Sequence, residues 1–199
     1  MKSTARSGTE AVRPVEPEPG VLVHPAADRR LATEHWLLST LPKDARDRAR
    51  REWAEHRIAM LPLGTLFSAV RLPAHLVHAV AGGTRPSGTT DAFLDEALDG
   101  GPVICDPNGR WYYLLVPAST PRTWHQAVDD WRNQEVDCLG RESYLGVPRL
   151  DVRERDSAVA SYWSVPMSSA ATLCAPLTVA RLIAAAAHAL GKDADDARD

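Results

Sequence analysis

Residues 100–117 read GGPVICDPNGRWYYLLVP, and the parsing of this stretch decides the fold. Val103 to Cys105 and Trp111 to Val116 are rich in β-branched, aromatic and aliphatic residues, and Asp106-Pro107-Asn108-Gly109 lies between them. Proline fixes φ for the first bend, and Asn-Gly accepts the positive φ that closes a tight turn. The stretch is therefore read as an antiparallel hairpin. Its second strand is apolar at consecutive positions, which places it inside a sheet covered on both faces rather than at an edge.

Working outward toward the N-terminus, Pro73 is expected to open a helix over Ala74–Ala81 that stops at Gly82-Gly83. Ile58 to Leu61 and Leu66 to Leu72 read as strands on either side of Pro62-Leu63-Gly64. Asp91 to Leu98 reads as a helix with acid in its first turn and Gly100 just past its end. Further upstream, Arg29–Thr40 and Lys43–Arg57 read as amphipathic helices. The second carries Ala45, Ala49 and Trp53 as a narrow apolar stripe under mixed charges. Because Arg46, Arg48, Arg50, Arg51 and Arg57 alternate with Asp44, Asp47, Glu52 and Glu55, a solvated helix with i, i+4 pairs is preferred to a phosphate-binding face.

Toward the C-terminus, Thr120-Pro121 signals the start of a helix over Arg122–Arg132 that sets Trp124, Val128 and Trp131 on one side. Glu135 to Leu139 and Ser143 to Val147 read as a second hairpin around Gly140, and Tyr162 to Val165 as a further strand. Leu177 to Leu190 reads as an alanine-rich helix. The sum is an α+β domain with a mostly antiparallel sheet built around the central hairpin. It is expected to occupy 28–191, after a disordered proline-rich tail over 1–27 and before a frayed end over 192–199.

Composition narrows the function classes. A formal net charge of −3 argues against coating nucleic acid by bulk electrostatics. No apolar run is long enough to span a membrane, and the polar N-terminus lacks the apolar core of a secretory signal, so a cytoplasmic protein is expected. Cys105, Cys138 and Cys174 are odd in number and form no CxxC pair, so they read as reduced thiols. His75 and His78 lie three apart on a helix, but the sequence around them offers no further ligand at zinc spacing. There is no GxSxG, GxxxxGK[ST] or GxGxxG motif, so neither a serine nucleophile elbow nor a glycine-rich phosphate cradle is expected. No catalytic residue, metal site or cofactor is expected from these motifs.

Three stretches carry a family resemblance. They are Ile58-Ala-Met-Leu-Pro-Leu63, the run from Val136 to Pro148 (VDCLGRESYLGVP), and Tyr162-Trp163. Their order from about Arg57 to Pro166 resembles the N-terminal primase-polymerase domain of bacterial bifunctional DNA primase/polymerases, within the archaeo-eukaryotic primase superfamily. The resemblance implies two divalent metals held by an Asp-x-Asp pair on the strand matching Leu66–Leu72, a histidine before the aromatic strand, and a third carboxylate. Here Leu66–Leu72 reads LFSAVRL with no acid, Trp111 or Tyr112 stands near the histidine position, and only Asp137 matches a metal carboxylate. Arg71 puts a positive charge where an acid is required.

One carboxylate cannot clamp two metals and a triphosphate. The expectation is thus a non-catalytic binding or regulatory protein on a primase-polymerase-like scaffold, with nucleotide or DNA as candidate ligand. Its candidate ligand-binding residues are Arg71, Arg110, Tyr112, Asp137 and Arg141. Two alternatives stand beside it. One is a protein-interaction module, or an oligomer, using exposed Trp36, Trp53 or Trp124. The other is an enzyme whose site assembles only in space.

Overall fold

A computed structural model describes residues 15–18, 21–23, 25–106, 108–155 and 161–196. The central element is a five-stranded antiparallel sheet. Its strands are β4 (Phe67–Pro73), β5 (Val103–Cys105), β6 (Trp111–Pro117), β7 (Asp137–Leu139) and β9 (Tyr162–Val165), in the spatial order β7-β4-β6-β5-β9. The expected hairpin of β5 and β6 is present, and β6 is the middle strand, with β4 on its other side. Its turn is tied at one residue: the Asp106 carboxylate accepts from the backbone N–H of Arg110 (2.6 Å) and of Trp111 (3.1 Å). Gly109 takes φ +65°, as the Asn-Gly reading requires.

Because successive side chains on a strand point to opposite faces, β6 feeds two separate cores. Tyr112, Leu114 and Val116 enter one, together with Val70, Leu72, Val103, Cys105 and Tyr162. Helices α3 (Ala74–Ala81), α4 (Gly88–Ala97), α6 (His125–Trp131) and α7 (Pro176–Asp196) supply residues to this core: Leu76 and Val77, Leu94, Val128 and Trp131, and Val179 and Ile183. Leu115 enters the other core with Phe67, Ala69, Ile104 and Trp163. That side is closed by α1 (Pro25–Leu38), α2 (Lys43–His56) and a separate antiparallel ribbon of β3 (Ile58–Pro62) and β8 (Tyr144–Pro148). Each fully buried Leu or Phe is worth roughly 1.5–3 kcal/mol. An exposed ion pair is worth about 0–1 kcal/mol, so the two cores, not the surface charges, place the helices.

Several sequence expectations differ from this arrangement. Asp137–Leu139 and Tyr144–Pro148 do not form a hairpin: the first pairs with β4 in the main sheet and the second with β3 in the ribbon. Between them the chain bends at Gly140, whose Cβ position would lie 3.1 Å from Pro121 Cγ, so only glycine lets the chain pass there without pushing on its neighbour. The helix expected over Arg122–Arg132 is broken at Trp124 (φ −114°, ψ 24°), giving α5 (Thr120–Thr123) and then α6. The final helix continues past Leu190 to Asp196, and 197–199 lie outside the described residues. Within the span read as a tail, β1 (Val15–Glu18) pairs with β2 (Val21–Val23), and α1 begins at Pro25, whereas 1–14 lie outside the described residues.

Candidate functional site

The ligand residues expected from sequence do not form one cleft. Strand alternation sends Tyr112 into the core under α3, where it is fully buried and its hydroxyl lies 3.4 Å from His78 Nε2. Burial pushes the Tyr112 phenol up and the His78 imidazole down, so both are neutral near pH 7. Arg71 and Asp137 do meet. They are register partners across β4 and β7, and the Arg71 guanidinium donates a hydrogen bond to the Asp137 carboxylate. The guanidinium carbon also lies 4.4 Å from the centroid of the Trp111 ring. Arg71 is thus committed on two sides. The pair that would have to yield a metal carboxylate is neutralised internally.

Arg141 lies at the other end of the same strands. It lines a cleft of about 570 Å³ with Gly64, Thr65, Ala118, Ser119, Pro121 and Arg122. Two glycines build this cleft. Gly64 has φ +83°, and a Cβ placed on it would lie 2.6 Å from the Arg141 backbone nitrogen and 2.7 Å from Arg141 Cγ. The Arg141 loop therefore rests directly on the backbone at Gly64. Gly140, as noted, admits Pro121 and with it the start of α5. Among the described residues that line it, the cleft carries two guanidiniums, from Arg122 and Arg141, two hydroxyl side chains and no carboxylate. Among the described residues neither arginine has an ion-pair partner, unlike Arg48, Arg50, Arg71, Arg132 and Arg149. Arg141 was named by sequence. Arg122 was not, because its meaning comes only from the Gly140–Pro121 contact that brings α5 to the β7–β8 bend.

Arg110 lies at the opposite strand ends, in a shallower cleft of about 360 Å³ with His75, His78, Trp111 and Glu135. Among the described residues no group of three or more His, Cys, Asp or Glu side chains could hold a metal ion. The two metals implied by the family resemblance therefore do not fit the described residues. The three cysteines are reduced. Burial pushes the thiols of Cys105, Cys138 and Cys174 up to about 12, which leaves them protonated and poorly nucleophilic.

A half-buried carboxylate joins α4 to the sheet. The Asp91 carboxylate accepts from the hydroxyls of Ser164 and of Tyr162, the latter at 3.2 Å. Burial raises the Asp91 pKa, and the two hydrogen bonds oppose that rise. The cluster anchors the first turn of α4 on β9 and faces no cleft described above.

Of the three tryptophans expected at an interface, Trp53 is packed inside and Trp36 and Trp124 are half-buried. Trp53 is buried and its indole N–H donates to the Val147 carbonyl at 2.9 Å, which fastens α2 to the ribbon. Trp36 is half-buried and stacks on Phe67 with ring centroids 5.7 Å apart, and Trp124 is half-buried against the core under α6. Tryptophan stripes at helical spacing here serve packing. No helix among the described residues is long and apolar enough to cross a membrane. No family model, curated protein or solved structure matches the chain closely enough to assign it to a family.

Proposed function

We propose that the protein is a non-catalytic binding protein on a primase-polymerase-like scaffold, and that it holds a phosphate-bearing ligand, a nucleotide or a nucleic-acid backbone, at Arg122 and Arg141. The observation that carries this reading is a cleft of ligand size where, among the described residues, two arginines without ion-pair partners line the wall and no acid does. Guanidinium forks match phosphate oxygens in geometry and stay charged at every physiological pH. The internal Arg71–Asp137 pair supports binding without turnover, since it occupies the carboxylate that metal-assisted transfer would need.

Equilibrium titration with ATP and with a short single-stranded oligonucleotide tests the reading. Arg122→Ala and Arg141→Ala are each expected to weaken binding by about tenfold or more, as charge-assisted hydrogen bonds contribute roughly 1.5–3 kcal/mol. Affinity that is the same in the double variant sinks the proposal.

A second reading rests on a different surface. Met60 and Tyr144 are 52% and 63% exposed and line one groove beside α2 on the β3–β8 ribbon, which suits contact with another protein or a second copy. Concentration-dependent sedimentation, lost in Tyr144→Lys, would favour it over phosphate binding.

A further inference from the structure

The cleft at the opposite strand ends, between the start of α3, the β5–β6 turn and Glu135, contains a platform that the phosphate cleft lacks. We infer that it binds a planar aromatic ring carrying an anionic group, the ring stacked on Trp111 and the anion paired with Arg110. This goes beyond the reading above, because it concerns other residues and does not depend on Arg122 or Arg141.

Arg71 lies over the Trp111 ring at 4.4 Å and is itself fixed by Asp137, and Trp111 lines the cleft. Trp111 is only half-buried although it lies in the middle strand of a covered sheet. A fixed aromatic side chain loses little conformational freedom on stacking, and offset ring pairs contribute about 0.5–1.5 kcal/mol beyond the area they bury.

Arg110 supplies the charge. Its backbone is set by the Asp106 carboxylate, its side chain is exposed on the cleft, and it has no ion-pair partner among the described residues. Glu135, fixed in a left-handed conformation (φ 59°), adds an acceptor for an N–H or O–H on the ligand. His78 is turned inward to Tyr112, and burial keeps it neutral. Among the described residues the cleft thus presents the Arg110 cation, the Glu135 acceptor and the Trp111 ring, beside the exposed His75 imidazole, in about 360 Å³, the size of a single substituted heterocycle rather than a chain of them.

The test uses isothermal titration of the full chain in an Arg122→Ala/Arg141→Ala background, which removes the other phosphate cleft. The probes are AMP, adenosine, inorganic phosphate and indole-3-acetate. AMP is expected to bind about tenfold or more tighter than adenosine or phosphate, since ring and anion act together. Arg110→Ala should reduce AMP to the level of adenosine. Trp111→Leu should weaken both, and Trp111→Tyr, which keeps a ring, should restore them and show that the fold is intact. Indole-3-acetate binding alongside AMP makes the ligand an aromatic acid in general, and AMP binding alone makes it a nucleotide; either outcome sustains the inference. It is overturned if phosphate binds as tightly as AMP, if AMP binding survives both Arg110→Ala and Trp111→Leu, or if no ring-bearing probe binds. The background substitutions report separately on the proposed function, because they alone should abolish the Arg122–Arg141 component seen in the parent chain.

Discussion

Arg71 on β4 and Asp137 on β7 face each other across an antiparallel register, joined by a hydrogen bond, with the guanidinium also lying over the ring of Trp111. The two side chains are 34% and 38% exposed, so solvent screens them and the pair contributes only about 0.5–1 kcal/mol. A double-mutant cycle of Arg71→Met and Asp137→Asn, read by urea denaturation, should return a coupling of that size. The single change at Arg71 should cost more than that at Asp137, because it also removes the cation–π contact, worth about 0.5–1 kcal/mol at an exposed site. Equal costs would mean that the stack on Trp111 contributes nothing.

Gly64 carries the Arg141 loop. Alanine there would be strained at φ +83° and would collide with the Arg141 backbone. Gly64→Ala is expected to lose about 1–3 kcal/mol of stability and to weaken the proposed phosphate binding with it. Unchanged stability and affinity would show that the loop does not depend on this contact.

Trp53 ties α2 to the ribbon through the Val147 carbonyl. Trp53→Phe keeps most of the apolar area but leaves that buried acceptor without its donor, a loss of about 1–3 kcal/mol. Trp53→Ala adds the cavity and should cost about 3–5 kcal/mol. Both are read from denaturation midpoints. A neutral Trp53→Phe would mean that water replaces the indole N–H.

Asp91 gives the protein a pH dependence of defined sign. Its folded pKa lies above the ordinary carboxylate value because burial disfavours the charge. The folded state therefore holds the proton more tightly than the unfolded state. Asp91's contribution to stability falls as pH rises through the window from the unfolded value to the folded one. Asp91→Asn removes the half-buried charge and keeps an oxygen for Ser164 and Tyr162. Its melting temperature at pH 7 should equal or exceed that of the parent, and the difference should shrink on acidification to pH 4. A variant that is less stable by the same amount at both pH values would show that the two hydroxyls require a charged acceptor.

Most of the elements were legible in the sequence because their punctuation is local. Asn108-Gly109, Gly82 and Thr120-Pro121 mark turns and helix ends by the backbone conformations they allow, and the two-faced apolarity of Trp111–Val116 correctly indicates a central strand. What was not legible is which strand pairs with which. Asp137–Leu139 and Tyr144–Pro148 have the spacing of a hairpin. Their partners are chosen instead by two cores on opposite sides of the sheet, which no local signal reports. The site suffered for the same reason. Arg71, Arg110 and Arg141 are equivalent as letters, yet one is paired, one borders an aromatic cleft and one joins Arg122 through a glycine contact remote in sequence. Tyr112 was misplaced by a single step of strand alternation, which moved it from a cleft to the core.

The phosphate binding proposed at Arg122 and Arg141 is tested by a thermal-shift comparison with inorganic triphosphate, which has no ring for the Trp111 cleft, in chelator and in Mg²⁺, on the parent chain and on Arg122→Ala/Arg141→Ala. At 100 times its Kd a ligand stabilises by roughly 2.7 kcal/mol, a shift of several degrees for a domain of this size. That shift is expected in chelator, undiminished without Mg²⁺, and lost in the double variant. A shift that appears only with Mg²⁺, or one that the double variant retains, would contradict the proposal.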